Sequence, residues 1–488
     1  MFFLFSKEHS GLCNCEKGKT GKKEHKQANI AHAQCETIFE RNLKQLHVKT
    51  IAMNKEPRAS FGSKLSVILV AAGSAIGLGA LWRFPYIAGK HGGAAFLLVF
   101  LLSVLVVGIP AMIAEFAVGR RTNKNAVGAF RSLSKRWSWL GYSGVLGALL
   151  ISGYYYLIAG WSLEYFVNSI TGSIFNSDLS FKEQFALFQG SWRPLLYGVI
   201  FILMTHLIVA RGIEKGIEKA AKVMMPALFV ILIVMAVRVA FMPGAAEGYS
   251  FFFSCDFAEA FKADTIMMAI GQAFFSLSVG MGCMVTYASY FKKDNNMVTT
   301  SVNVSLLTLA VSVLAGLVIF PAVFSAGLEP SEGPSLVFVT LPEIFKGMPL
   351  PSLWSAIFFL LIILASLTST ISFHEVLTAY TVEEFKLSRK GGAMVTTGVS
   401  IALSAVTFFG LFGIDFFTLF DNITANILMP LGAMFTCIFA MWFMKKELMR
   451  EEITNNGQCN NKVVGVLLFM LRFITPLLIF YIFIKNFM

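Results

Sequence analysis

Eleven long apolar segments constrain the fold of this chain more than any other feature of its sequence. Each has roughly the 20 residues that an α-helix needs to cross a bilayer core of about 30 Å. Only 14% of the 488 residues are charged, against about a quarter in soluble domains, and no polar stretch is long enough for a soluble catalytic domain. We therefore predict an all-α membrane protein. The segments are 64–87, 94–117, 141–171, 194–211, 220–242, 264–290, 297–326, 351–385, 392–412, 416–444 and 463–486.

The basic residues alternate between loops and so predict the topology. The loops at 119–138, 211–222, 291–296, 386–391 and 445–462 are rich in Lys and Arg, and the loops between them are poor. Basic loops stay on the cytoplasmic side of a membrane, so we expect a multi-pass plasma-membrane protein with a cytoplasmic N-terminus. An odd number of spans then places the C-terminus outside. The net charge of +12 is thus a topology signal and predicts no nucleic-acid partner.

The N-terminal segment differs in kind from the rest. It is polar and basic, lacks hydrophobic periodicity, and contains no apolar stretch typical of a signal peptide. We predict a disordered cytoplasmic extension, and Met53 is an alternative start, which leaves open whether residues 1–52 belong to the mature protein. The predicted organisation is this extension at 1–60, a membrane core at 61–445 made of repeats at 61–243 and 262–445, and a loop with the eleventh helix at 446–488.

Two of the apolar segments contain clustered glycines. The first reads "AAGSAIGLGALW", with Gly73, Gly77 and Gly79, and the sixth reads "FFSLSVGMGCMV", with Gly280 and Gly282. A helix broken here exposes peptide groups that lipid cannot satisfy, so they must face a cavity, an ion or a substrate. The two segments are five spans apart, an odd number, so two five-helix units must have opposite orientations. Close helix packing at glycine is the alternative, but paired breaks favour a transporter built from two inverted repeats.

Three long motifs carry a family resemblance. The stretches "GSAIGLGALWRFPYIAGKHGGAAF", "GQAFFSLSVGMGCMVTYASYFKKD" and "LTSTISFHEVLTAYTVEEFKLSR" resemble the neurotransmitter:sodium symporter family, and most closely its prokaryotic amino-acid transporters. The likeness extends from about Arg58 to the last span. It implies a sodium-coupled secondary active transporter that imports an amino acid by alternating access, with two inverted five-helix repeats in which helices 1 and 6 are broken.

The resemblance also implies where sodium binds. One sodium ion would take the carbonyl oxygens of Gly73, Ile76 and Ala365 with the hydroxyls of Thr368 and Ser369, which is the oxygen ligation that a hard cation prefers. The alternative is a polar helix face whose hydroxyls bond to their own carbonyls.

A second sodium site of the family is incomplete in this sequence. It retains Ala75 and Ser276, the substrate carboxylate and the hydroxyl of Thr308, but Ala80 and Thr308 replace residues with stronger oxygen ligands. We therefore expect a weak second site and coupling mainly through the first, with a single sodium ion per cycle.

Chloride dependence stays open at this point. Ser312, Gln272 and Ser276 match the anion site of chloride-dependent members of the family. Phe100, however, replaces a tyrosine that would donate a hydrogen bond to the anion.

The resemblance predicts an amino-acid substrate. Amides at Leu78 and Gly79 with the Tyr155 hydroxyl would hold the carboxylate, while backbone carbonyls would hold the ammonium group. Monoamine carriers have an aspartate where this chain has Gly77, and Met281 is one of several apolar wall residues, so an aliphatic or aromatic amino acid is favoured. The predicted substrate-binding residues are Ala75, Leu78, Gly79, Ile151, Tyr155, Phe275, Ser276, Ser278, Met281, Ser369, Thr370 and Phe373.

Charged residues within the spans suggest two gates. Arg83 would pair with Asp421 as the extracellular gate, because an intramembrane charge normally meets a partner, although snorkelling of Arg83 to the interface is the alternative. Arg58 would pair with Glu383 on the cytoplasmic side, backed by Tyr290.

Two other functions stay open. The weak second sodium site is compatible with a nontransporting amino-acid receptor or sensor, and the inverted repeats with a carrier of another superfamily. An enzyme is not expected, because no metalloprotease motif or nucleophile elbow is present and His206 and His374 are isolated. The sequence does not name the amino acid or predict the oligomeric state.

Overall fold

The computed structural model describes residues 59–254, 256–327, 336–410, 414–455 and 461–485. Residues 1–58 of the predicted extension, which include Arg58, lie outside these ranges. Helices dominate the described residues and are named here in chain order. They are α1 Lys64–Ala75, α2 Gly79–Lys90, α3 Ala94–Thr122, α4 Ala126–Leu133, α5 Lys135–Thr171, α6 Phe181–Gln189, α7 Arg193–Val209, α8 Ile213–Ala240, α9 Ala245–Phe253, α10 Phe257–Ala260, α11 Ala263–Ser276, α12 Cys283–Ala288, α13 Met297–Ser325, α14 Leu341–Lys346, α15 Pro351–Glu384, α16 Arg389–Phe409, α17 Phe416–Phe443, α18 Lys446–Thr454 and α19 Val463–Lys485.

The helices fall on the apolar segments that the sequence predicts as spans. Among the described residues, eight single helices are long and apolar enough to cross a membrane: α3, α5, α8, α13, α15, α16, α17 and α19. Two more candidates are bent pairs, α1 with α2 at 55° and α6 with α7 at 75°. The pair α11 and α12, separated by non-helical residues 277–282, occupies the sixth predicted segment. The all-α membrane fold is confirmed.

The long helices α5 and α15 pack against each other along the centre of the molecule, with α7 and α16 beside them. Small residues allow these close approaches. A methyl group at Gly160 of α5 would lie 2.5 Å from the backbone nitrogen of Gly198 in α7, so the two backbones meet directly. These four helices form a scaffold against which the broken helices are held.

The first predicted break is present between α1 and α2. Helix α1 ends at Ala75, and Ile76 leaves helical geometry with φ −90° and ψ 89°. A methyl group at Gly77 would collide with the Ser369 side chain and lie 2.7 Å from the Tyr155 hydroxyl oxygen. Glycine is therefore required here, because the backbone passes directly beside two polar side chains of the scaffold.

The second predicted break lies between α11 and α12. Gly280 and Gly282 have φ values of +92° and +75°, a left-handed conformation that glycine adopts without strain. The Glu115 carboxylate accepts a 2.6 Å hydrogen bond from the Gly280 N–H, which gives this buried acid a structural role. The Ser278 hydroxyl donates a 2.8 Å bond to the Ser74 carbonyl, so the two breaks contact each other.

Candidate substrate and sodium sites

The two breaks enclose a small central cavity. Its walls come from α1, α5, α11, α12 and α15, and its free space is about 20 Å³. An amino acid is larger than this, so its binding requires side chains to move apart. The lining residues are Ser74, Ala75, Gly77, Gly79, Ile151, Tyr155, Phe275, Ser278, Met281, Cys283, Ser369, Ser372 and Phe373.

The Leu78 N–H, a peptide group in the first break, forms a hydrogen bond with a tyrosine of α5. The Tyr155 hydroxyl oxygen accepts a 3.1 Å hydrogen bond from the Leu78 N–H. Because the oxygen accepts there, the hydroxyl hydrogen can be donated elsewhere. The ring is fixed at its edge by Phe373, 5.3 Å away between centroids. The Leu78 N–H thus orients Tyr155, whose hydroxyl hydrogen can be donated to a carboxylate at this side of the cavity.

Oxygen atoms of α1 and α15 converge beside this cavity. The Thr368 hydroxyl lies 3.2 Å from the carbonyl of Ile76 and 2.9 Å from that of Ala365. A methyl group at Gly73 would contact the Thr368 side chain at 3.3 Å, so Gly73 lets α1 approach closely. The Ser369 hydroxyl points to the Ser74 carbonyl at 3.4 Å. These neutral oxygens form a set of ligands that suits a hard cation.

The residues of the second predicted sodium site are arranged differently. Thr308 donates its hydroxyl to the Val304 carbonyl of its own helix at 2.9 Å. The Gln272 amide nitrogen instead donates to the Gly79 carbonyl at 2.7 Å and to the Ser276 hydroxyl at 2.9 Å. Ala80 is fully buried and contributes only a methyl group.

A second cavity of about 190 Å³ lies on the other side of Tyr155 and Phe275, whose rings line both spaces. Arg83 and Asp421 both line this outer cavity, but their charged groups form no ion pair although the structure describes both residues. The Arg83 guanidinium lies 4.7 Å from the Phe275 ring centroid. Asp421 accepts a 2.9 Å hydrogen bond from the Tyr154 hydroxyl. The predicted gate residues thus share one cavity and contact its aromatic walls.

At the opposite end of the molecule, a buried ion pair joins α15 to α16. Glu375 is fully buried and bonded to Arg389, which also donates to the Val209 carbonyl at 2.8 Å. The Tyr290 hydroxyl donates to Glu375 at 2.7 Å, and the Tyr290 carbonyl accepts from the Phe61 N–H at 3.2 Å. Tyr290 therefore ties the residues before α1 to the scaffold.

The predicted cytoplasmic gate residue Glu383 accepts bonds from the backbone and side chain of Asn125, at 2.8 and 2.9 Å. Its predicted partner Arg58 lies outside the described residues.

Three of the predicted substrate-binding residues do not line the cavity, and four lining residues were not predicted. The first three are Leu78, Ser276 and Thr370, and the other four are Ser74, Gly77, Cys283 and Ser372. Thr370 bonds to Thr205 of α7 at 2.9 Å and does not line the cavity, because one residue along a helix turns the side chain by about 100°. Ser372 lies three residues after Ser369 on the same face of α15 and also lines the cavity. This helical spacing could have been read from the sequence. Ser74 and Cys283 lie next to the breaks. Helical periodicity ends there, so the sequence does not predict which way these side chains point.

A model of the sodium:neurotransmitter symporter family matches residues 58–183 and 188–488. An uncharacterized sodium-dependent transporter of Bacillus subtilis is 37% identical over 89% of this chain and 98% of its own length. One of Haemophilus influenzae is 33% identical over 89% of this chain and 99% of its own. The crystal structure of MhsT in complex with L-phenylalanine superposes with a TM-score of 0.81 at 40% identity, covering 88% of this chain and 99% of that one.

These matches cover nearly the whole described chain and agree with its broken helices. The protein is a multi-pass membrane transporter that depends on sodium, and it is not an enzyme. The chain belongs to the sodium:neurotransmitter symporter family.

Proposed function

We propose that the protein is a symporter that imports an apolar amino acid with sodium by alternating access. The observation that carries the proposal is the hydrogen bond from the Leu78 N–H to the Tyr155 hydroxyl oxygen at a helix break, beside a central cavity that Tyr155 lines. The hydroxyl hydrogen of Tyr155 stays available to a substrate carboxylate, and the Ala75 and Phe275 carbonyls are assigned to the ammonium group.

The rest of the cavity supports an apolar side chain for the substrate. Its far wall consists of Ile151, Met281 and Phe373, and no charged residue lines it. An aspartate at Gly77, which would hold an amine without its own carboxylate, is absent. The related MhsT was crystallised with L-phenylalanine. We assign an aliphatic or aromatic amino acid as the substrate.

One sodium ion is assigned to the oxygens around Thr368. This site connects α1, whose Ile76 carbonyl it uses, to α15 through Ala365 and Thr368. Binding there pulls the first half of the broken helix onto the scaffold, so sodium and substrate favour the same closed arrangement. The Gln272 amide uses both of its N–H groups within the protein, which argues against a chloride requirement.

Transport requires the cavity to open to each side in turn. Rotation of Phe275 would open it to the outer cavity, and Arg83 would pair with Asp421 when the substrate is enclosed. At the opposite end, the Tyr290 hydroxyl would leave Glu375, and the proposed pair of Glu383 and Arg58 would separate. The cavity would then open on that side. The distribution of basic loops supports a cytoplasmic position for that end and an extracellular C-terminus.

Uptake into proteoliposomes tests the proposal. The purified full chain should accumulate a labelled apolar amino acid when sodium is higher outside, and should not when potassium replaces sodium. Competition by each of the twenty amino acids then identifies the substrate. Sodium-dependent binding without accumulation would support the receptor alternative, and accumulation independent of sodium would refute sodium coupling.

A further inference from the structure

We infer that the side-chain amide of Gln272 takes the place of the second sodium ion. This inference rests on the proposed function, and it explains how the chain stabilises the Ser276 hydroxyl, which such an ion would otherwise bind. It predicts a transporter that is limited to one sodium ion per amino acid by its own side chain.

The orientation of the Gln272 amide is fixed by its partners. The Gly79 carbonyl can only accept a hydrogen bond, so the atom 2.7 Å from it must be the amide nitrogen. The same nitrogen lies 2.9 Å from the Ser276 hydroxyl oxygen. Both amide hydrogens are therefore directed at oxygens that line the second helix break and the start of α2. One of them brings partial positive charge to the Ser276 hydroxyl oxygen, a ligand of the predicted second sodium site.

The surrounding residues do not form a cation site of their own. Ala80 is fully buried and has no ligand atom, and the Thr308 hydroxyl bonds to Val304. A cation would find the Ala75 carbonyl, one lone pair of Ser276 and the substrate carboxylate. Three oxygens are too few for a hard cation, which prefers about six. The amide satisfies this region without an ion, whereas a sodium ion would have to displace it.

The buried environment strengthens this assignment. Gln272 and Ser276 are both fully buried, so without the amide the Ser276 hydroxyl oxygen would lose its hydrogen-bond donor. The Gly79 carbonyl would still accept from the Phe84 N–H within α2. The Gln272 carbonyl oxygen has no partner among the described residues. The side chain is thus held entirely through its nitrogen, as expected if its task is to donate.

The experiment exchanges the donor for an acceptor. The full chain and its Gln272→Glu variant are reconstituted, and labelled sodium and amino-acid fluxes are measured together. The native protein should carry one sodium ion per amino acid with a Hill coefficient of about 1. In Gln272→Glu the carboxylate cannot donate to Gly79 and attracts a cation, so the stoichiometry should become two and the Hill coefficient should rise towards 2. Each extra charge carried inward should increase the ratio of internal to external amino acid by about 50-fold at a membrane potential of 100 mV.

Controls separate this inference from the proposed function. Ser301→Ala, which removes a buried hydroxyl of α13 that has no hydrogen-bond partner among the described residues, should leave the stoichiometry at one. If Gln272→Glu does not fold, Gln272→Asp also replaces the amide by a carboxylate and should also raise the Hill coefficient. Two sodium ions in the native protein, or one in a folded Gln272→Glu or Gln272→Asp variant, would overturn the inference and leave the transporter assignment intact. Loss of sodium-driven uptake in the native protein would instead refute the proposed function.

Discussion

Replacement of Tyr155 by Phe tests the carboxylate site most directly. The variant keeps the ring and its edge contact with Phe373 and removes only the hydroxyl, which is 3.1 Å from the Leu78 nitrogen. A hydrogen bond to a charged group contributes about 1.5–3 kcal/mol, so substrate affinity should fall about 10- to 150-fold. Equilibrium binding of the labelled amino acid in saturating sodium measures this change.

The neighbouring tyrosine provides a matched control. Tyr154→Phe also removes one hydroxyl, but that hydroxyl bonds to Asp421 in the outer cavity. Its effect on equilibrium affinity should be much smaller than that of Tyr155→Phe. Thermal unfolding of both variants without substrate checks that each is folded. Unchanged affinity in a folded Tyr155→Phe variant would refute the assignment of this hydroxyl to the carboxylate.

Three further predictions follow from the geometry. Gly77→Ala should abolish substrate binding in a folded protein, because the added methyl group would displace Ser369, and binding by the purified variant measures this. Thr368→Val should raise the sodium concentration for half-maximal uptake by about tenfold, since one oxygen ligand is lost, while Thr368→Ser retains it. Arg389→Gln should destabilise the protein by about 3–5 kcal/mol because Glu375 is left as an unpaired buried charge, and joint replacement of both by Met should restore much of the thermal stability. An equal loss of stability in the double variant would refute that explanation.

The broken first helix was predictable because its signals are local and strong. Glycines inside an apolar span cannot be explained by lipid contact, and a second set at a five-span interval fixes the relation between the two halves. The structure has an interruption after Ala75 and another over residues 277–282, as expected. Most of the predicted lining residues follow from these two breaks and from the family resemblance.

Side-chain partners were less predictable, because they depend on rotamers and helix phase. Ser369 and Thr370 are adjacent in sequence, yet only Ser369 lines the cavity. The ring of Phe275 stacks with Arg83, an interaction that no spacing in the sequence indicates. The polar role of Gln272 is of the same kind, since its amide reaches a carbonyl almost two hundred positions earlier in the chain.

The rings of Tyr155 and Phe275 touch both the outer and the inner cavity. Passage between these spaces therefore needs only side-chain rotations, which take picoseconds to nanoseconds when space allows. The exit proposed at the other end is held by hydrogen bonds from Tyr290 and by whole helix ends, whose rearrangement takes microseconds to milliseconds. We therefore expect a bound substrate to return to the outer cavity many times before it leaves on the other side, unless sodium at the proposed Thr368 site keeps the rings of Tyr155 and Phe275 in place.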